Sequence, residues 1–127
     1  MVVSHRLLDT NIILYLLGGR LAKPLPEGNY YVSVMTEMEL LSYSDLDTQT
    51  EQKIRDFLAQ LTLINLEEPI KITAIQLRRQ HTLKLPDTII AATALTLNVP
   101  LLSNDVRLNR ISDLECRQLK MLDLPTS

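Results

Sequence analysis

The chain is short of cysteine, of long apolar runs and of excess charge of either sign, and each shortage removes a class of function. Cys116 is the only cysteine, so neither an intramolecular disulfide nor a cysteine-based zinc cage can form, and a reducing compartment is expected. The longest uninterrupted apolar stretch, Ile12 to Leu17, falls far short of the roughly 20 residues that cross a bilayer, so no membrane span is expected. The start, Val2-Val3-Ser4-His5-Arg6, runs directly into an apolar strand and lacks the pattern of a signal peptide. These readings together point to the cytoplasm. The net charge of −2 and isoelectric point near 5.6 speak against a protein that coats nucleic acid by positive charge. They leave room for an acidic cleft whose sign is reversed by bound cations. No internal repeat, low-complexity tract or dividing linker is present, and 127 residues with 46% hydrophobic and 22% charged side chains fit one globular domain, 1–127.

What the chain does have is a set of carboxylates at the ends of apolar segments. Leu7-Leu8-Asp9-Thr10-Asn11-Ile12-Ile13-Leu14 reads as a strand ending on an acid with a helix directly behind it. Glu39 lies in Met35-Thr36-Glu37-Met38-Glu39-Leu40-Leu41, Asp87 in Leu85-Pro86-Asp87-Thr88-Ile89-Ile90, and Asp105 in Leu101-Leu102-Ser103-Asn104-Asp105. In a parallel α/β sheet the carboxyl ends of the strands share one edge, so acids distant in sequence can converge there. Four converging carboxylates suit a hard divalent cation.

The periodicity predicts strands over Val2–Leu8, Tyr30–Val34, Thr62–Leu66 and Val99–Ser103, with a last edge strand over Gln118–Leu124. Helices are expected over Thr10–Leu17, stopped by Gly18-Gly19, from Thr36, over Asp47–Leu61, Glu67–Thr82 and Asp87–Leu97, and briefly over Val106–Ile111. The Asp87–Leu97 segment is apolar on most sides and reads as a central helix. Alternation of strands with helices indicates a three-layer α/β/α sandwich around a mainly parallel sheet of 4–5 strands.

Each acid also has a plainer explanation. Asp9 and Asp105 read as helix caps, Thr36 and Glu39 match the S/T-x-x-E capping box, and Asp87 behind Pro86 complements a helix dipole. The polar neighbours tilt the balance toward a site: Thr10 and Asn11 beside Asp9, and Ser103 and Asn104 beside Asp105, are small hydrogen-bonding groups able to orient ligands or water. Helical periodicity alone does not choose between Glu37 and Glu39. If Val34, Met35, Met38 and Leu41 face the core, both flank that face equally. Arg78, Arg79, Lys84, Arg107 and Arg110 flank two of the acids in sequence, either as a solvated face or as phosphate contacts. His5 and His81 lack partners at ligand spacing and read as structural.

The four motifs resemble, in order and spacing, the PIN-domain ribonucleases, and are most similar to the VapC-type toxins among them. Leu8-Asp9-Thr10-Asn11, Thr36-x-x-Glu39-Leu40-Leu41, Leu85-Pro86-Asp87-x-x-Ile90-Ala91-Ala92 and Leu101-Leu102-Ser103-Asn104-Asp105 carry the resemblance. It implies a PIN-like fold, selects Glu39 over Glu37, and implies a Mg²⁺ or Mn²⁺ site formed by Asp9, Glu39, Asp87 and Asp105. Thr10, Asn11 and Ser103 carry over as auxiliary residues. The implied reaction is cleavage of an RNA phosphodiester by metal-activated water, and the implied partners are a small antitoxin protein and a second copy of the chain in a homodimer. The apolar content gives these partners permissive support, since Leu14, Tyr15, Leu40 and Tyr43 compete for cover in so small a domain.

Two departures, Ser42-Tyr43 where the family often has a small residue such as glycine and Leu108 where it often has an aromatic, concern local packing and cleft shape rather than ligands. A haloacid-dehalogenase-type phosphatase would need a second Asp where Asn11 stands. A phosphate-receiver domain would need early adjacent acids and a late strand-end lysine. The remaining alternative is a catalytically inactive PIN-like module that binds protein or RNA, its acids serving only as caps.

Overall fold

The computed structural model describes residues 4–123. Its elements are β1 (His5–Leu8), α1 (Thr10–Leu17), β2 (Asn29–Ser33), α2 (Val34–Leu41), α3 (Thr48–Leu58), β3 (Thr62–Ile64), α4 (Glu68–Gln80), α5 (Leu85–Leu97), β4 (Leu101–Leu102), a 3-10 helix (Val106–Arg110) and β5 (Cys116–Arg117). The five strands form one parallel sheet in the order β3-β2-β1-β4-β5. The chain builds outward from β1 to β3 on one side and then returns to place β4 on the other. The order therefore reverses between β1 and β4, and the carboxyl ends of these two strands mark the switch point at which open α/β sheets place their ligand-binding crevice.

Period-two alternation divides the core. Leu7 and Leu101 pack with Ile70, Ala74 and Leu77 of α4 and with Ile89, Ile90 and Ala91 of α5. Leu8 and Leu102, one residue on, point to the opposite face and pack with Ile12 and Ile13 of α1, Leu40 of α2 and Ile54 of α3. The result is the expected three-layer α/β/α arrangement. Leu7 pairs with Leu101 and Leu8 with Leu102, so each face receives adjacent leucines from both central strands. Buried on both faces, these strands read in sequence as continuous apolar runs rather than alternating ones.

Local chemistry sets the helix ends. Asp47 caps α3 by accepting from the Thr50 amide at 2.6 Å, Pro69 and Pro86 sit in the first turns of α4 and α5, where a missing N–H costs nothing, and Asn98 ends α5 in the left-handed region at φ 54°. Residues Thr88 to Ala94 of α5 are all buried, as its apolar surround predicted, and the Thr88 and Thr93 hydroxyls bond back to the Lys84 and Ile89 carbonyls.

Two expectations are corrected. The last strand is Cys116–Arg117 rather than Gln118–Leu124. The segment after it contributes an isolated bridge between Met121 and Leu21, and Leu124 lies outside the described residues, as do Val2 and Val3 at the start of the first expected strand. The short β5 pairs with β4 through the register Leu101 to Cys116 and Leu102 to Arg117, with the Leu101 and Ser103 amides donating to the Glu115 and Arg117 carbonyls, a pairing too brief to leave a periodic signature. In α2 the helix begins at Val34, two residues before the expected start, because Ser33 is the cap and its Oγ accepts from the Met35 amide at 3.1 Å. The core-facing residues of α2 are Thr36 and Leu40, fully buried, while Met38 is 56% exposed. Leu40 thus finds complete cover, Leu14 and Tyr15 are partly covered against the same cluster, and Tyr43 remains exposed.

Leu8 has no exposed surface and directly precedes Asp9. Leu8→Ala is expected to cost about 2–5 kcal/mol of unfolding free energy in denaturant titration, against a change within about 0.5 kcal/mol for Met38→Ala on the surface.

Candidate active site

Asp9 follows β1 directly and caps α1, and both of its oxygens are committed. Oδ1 accepts from the Thr10 amide at 2.8 Å and Oδ2 from the Ser103 hydroxyl at 2.6 Å. Ser103 stands at the corresponding place beyond β4, is fully buried, and also accepts the Asp105 amide on its Oγ at 3.1 Å. Adjacency of the two strands accounts for this meeting, because the Asp9 amide donates to the Leu102 carbonyl at 3.0 Å and continues the pairing into the loop. The plainer reading of Asp9 as a cap is therefore correct as far as it goes. The residue is also only 6% exposed, and burial is the main force raising its pKa above the usual 3.8; Ser103 and the Thr10 amide oppose that rise and nearby Asp87 and Asp105 add to it.

Glu39 reaches the same crevice from α2. The Thr10 hydroxyl donates to its Oε1 at 2.8 Å and lies 2.9 Å from the buried Thr36 hydroxyl. Thr10 thus joins the first two motifs through its hydroxyl while its amide holds Asp9. The capping-box expectation for Thr36 and Glu39 is overturned: Thr36 lies inside the helix that Ser33 caps, which frees the Glu39 carboxylate to point at Thr10. Glu37 turns to the α3 side, lining a hollow with Leu41, Arg55 and Leu58. The glutamate ambiguity arose from assigning Met38 to the core, and it disappears once Thr36 and Leu40 occupy that face.

Asp87 lies in the first turn of α5, and Asp105 caps the 3-10 helix after β4 by accepting from the Arg107 amide at 3.0 Å. Burial, then repulsion from Asp105, raises the pKa of Asp87, with Arg107 and Lys84 opposing and Glu39 adding to the rise. The Asp105 pKa is lowered, chiefly by its side-chain hydrogen bond from Arg107. Arg107 places Nη2 2.6 Å from Asp105 Oδ2 and 3.4 Å from Asp87 Oδ2, with Nε 3.0 Å from Asp105 Oδ1.

The structure therefore brings Asp9, Glu39, Asp87, Asp105, Thr10 and Ser103 to one crevice. Asn11 is exposed on the first turn of α1, and the hydrogen bonds joining Asp9, Glu39 and Ser103 do not pass through it. Among the described residues, no three His, Cys, Asp or Glu side chains already stand in ligand-ready spacing, and the Arg107 guanidinium lies between two of the acids. Two residues escaped sequence reasoning. Thr36 was assigned to a cap, and Arg107 was one of five flanking bases with nothing in the sequence to single it out. His5 stacks on Tyr31 with ring centroids 5.3 Å apart, and His81 ends α4.

The chain matches the model of the PIN domain over residues 6–114. No curated protein matches it. Among solved structures it is similar to a chain of a toxin-antitoxin complex from Klebsiella pneumoniae, with 30% identity, a TM-score of 0.72, and coverage of 86% of this chain and 94% of the other. It is also similar to a chain of VapBC-1 from nontypeable Haemophilus influenzae, with 28% identity, a TM-score of 0.71 and coverage of 90% and 97%. A chain of VapBC2 from Rickettsia felis, bound to a DNA fragment from its promoter, shares the fold at 22% identity and a TM-score of 0.74, with coverage of 91% and 99%.

The raised pKa of Asp9 sets a pH dependence. The folded state holds the Asp9 proton more tightly than the unfolded state, so this residue costs stability as pH rises above 3.8 and the full penalty is present above its folded pKa. Asn at this position keeps a capping oxygen and does not titrate. In metal-free buffer Asp9→Asn is expected to melt above the wild type at pH 7, with the gap closing as pH falls toward 4. A lower melting temperature for the variant at pH 7 would mean that the carboxylate is a net stabilising cap.

Proposed function

Because the chain belongs to the PIN domain family, we propose that it is a divalent-metal-dependent ribonuclease, the toxin of a toxin-antitoxin pair. The observation that carries this reading is the convergence of Asp9, Glu39, Asp87 and Asp105 at the point where the strand order reverses. A cluster serving only to cap helices has no reason to raise the pKa of two of its members by burial and mutual repulsion. Caps are satisfied by backbone amides and gain nothing from facing one another.

The donors fit a hard cation. All four are carboxylates, oxygen ligands of the kind Mg²⁺ and Mn²⁺ take, and the negative charge they concentrate is only partly offset by Arg107 and Lys84. A bound Mg²⁺ or Mn²⁺ would lower the pKa of a water and neutralise charge on the phosphoryl oxygens of RNA. The chain's own part is placement. Ser103 and the Thr10 amide fix Asp9 in one orientation, and the Thr36–Thr10 hydroxyl pair fixes Glu39. Asp87 and Asp105 complete the acidic wall from α5 and the 3-10 helix.

Similarity to chains of toxin-antitoxin complexes supports a small antitoxin as partner, and the family resemblance supports a homodimer. Apolar surface for a protein partner is present at a groove of about 540 Å³ between α4 and α5, lined by Leu66, Ile75 and Leu85 together with Lys71, Arg78 and Arg79. The half-buried, lone Cys116 suits a reducing cytoplasm, and among the described residues no helix is long and apolar enough to cross a membrane.

The test is Mn²⁺ calorimetry and cleavage of a structured RNA by the wild type and Asp87→Asn, with circular dichroism to verify folding. The variant is expected to remain folded and to lose both Mn²⁺ binding and cleavage; unchanged cleavage would defeat the four-carboxylate reading. No metal response in the wild type would leave a PIN-shaped binding module. A milder change, Thr10→Val, removes the hydroxyl that holds Glu39 and is expected to lower metal affinity or cleavage by roughly 10- to 100-fold, the usual cost of losing an orienting partner.

A further inference from the structure

We infer that Arg107 is a resident counter-cation of the acidic crevice that yields to the divalent ion and then binds a phosphate of the substrate. The inference rests on the metal-site reading above. Arg107 meets Asp105 side-on, Nε to Oδ1 at 3.0 Å and Nη2 to Oδ2 at 2.6 Å, and extends the same Nη2 to Asp87 at 3.4 Å. Both Asp105 oxygens are thereby occupied, so a cation approaching that carboxylate has to compete with the guanidinium. Arginine stays protonated at any physiological pH, and the group therefore leaves by displacement and not by titration.

The side chain is free to leave. It is 49% exposed, rises from a five-residue 3-10 helix whose neighbour Val106 is 63% exposed, and makes its side-chain hydrogen bonds to the two carboxylates alone among the described residues. Once displaced, its tether keeps it at the mouth of the crevice, where a nucleic-acid phosphate has to approach the acids. A planar guanidinium recognises phosphate in the same two-pronged geometry as carboxylate. Lys84 also feels Asp87 and Asp105 electrostatically, but as a compact point charge it offers no such fork.

The test compares the wild type, Arg107→Gln and Arg55→Gln. Arg55→Gln removes the same charge and also breaks an exposed ion pair, that between Arg55 and Glu51 on α3. Calorimetry with Mn²⁺ alone is expected to show Arg107→Gln binding about two- to fivefold more tightly, the scale of one exposed ion pair, with Arg55→Gln unchanged. Anisotropy of a short labelled oligouridylate with hydrolysis-resistant phosphorothioate linkages, which keep the backbone charge, is expected to show in saturating Mn²⁺ weaker binding by Arg107→Gln, with the slope of log affinity against log salt shallower by about 0.7, the loss of one phosphate contact on a single strand. Equal Mn²⁺ affinity in Arg107→Gln and the wild type, a gain shared by Arg55→Gln, or an unchanged salt slope would each overturn the inference while leaving the metal site standing. Absence of Mn²⁺ binding in the wild type would instead remove the metal reading, and this inference with it.

Discussion

The hydrogen bond between Ser103 and Asp9 joins the two halves of the protein. It spans 94 positions of sequence and closes the carboxyl ends of β1 and β4 onto each other at the place where the sheet reverses order. Thr10, Glu39 and Asp105 connect to it. The Asp9 carboxylate starts α1 through the Thr10 amide, the Thr10 hydroxyl then reaches Glu39 on α2, and Ser103 in turn receives the Asp105 amide. One buried carboxylate thereby ties together α1, α2 and the segment after β4, which is possible because a carboxylate has several lone pairs to distribute and a hydroxyl can donate and accept at once.

This arrangement carries an electrostatic cost. Asp9 is buried and faces two further carboxylates, and Asp87 is likewise pushed toward its neutral form by burial and by Asp105. A fold under selection for stability alone would pair or remove these charges. Here the compensation is partial and local, with Arg107 holding Asp105 and touching Asp87, while the core beneath is closely covered by Leu7, Leu8, Leu101, Leu102 and the buried helix α5. Packing around the central strands supplies the stability that the acidic edge costs, a division of labour between rigid scaffold and strained site that recurs in proteins with charged sites.

Much of this was legible in the sequence, for physical reasons particular to each element. Leu7-Leu8 and Leu101-Leu102 are doubly buried and so appear as apolar runs that stop at an acid, which located both edges of the crevice. Helix α1, with Asp9 before it and Gly18 after it, was readable to its ends, and the apolar surround of α5 followed from its central place. What was not legible depended on contacts distant in sequence. The start of α2 was misplaced because Thr36 mimics a cap in a local pattern, whereas its hydroxyl belongs to a tertiary bond with Thr10. Met38, apolar but exposed, misled the assignment of the core face and left the two glutamates equivalent. β5 was displaced because a two-residue strand is defined by its neighbour, and Arg107 could not be distinguished from other bases until the 3-10 helix turned it onto Asp105 and Asp87.

The proposed chemistry depends most on the four carboxylates acting together on one ion. Anomalous diffraction from crystals of the protein grown with Mn²⁺ tests this directly. A manganese peak within coordination distance of Asp9, Glu39, Asp87 and Asp105, directly or through an ordered water, with Arg107 moved off Asp105, is the predicted result. A crevice without manganese and with Arg107 still bridging Asp105 and Asp87, in crystals soaked to saturation, would contradict it.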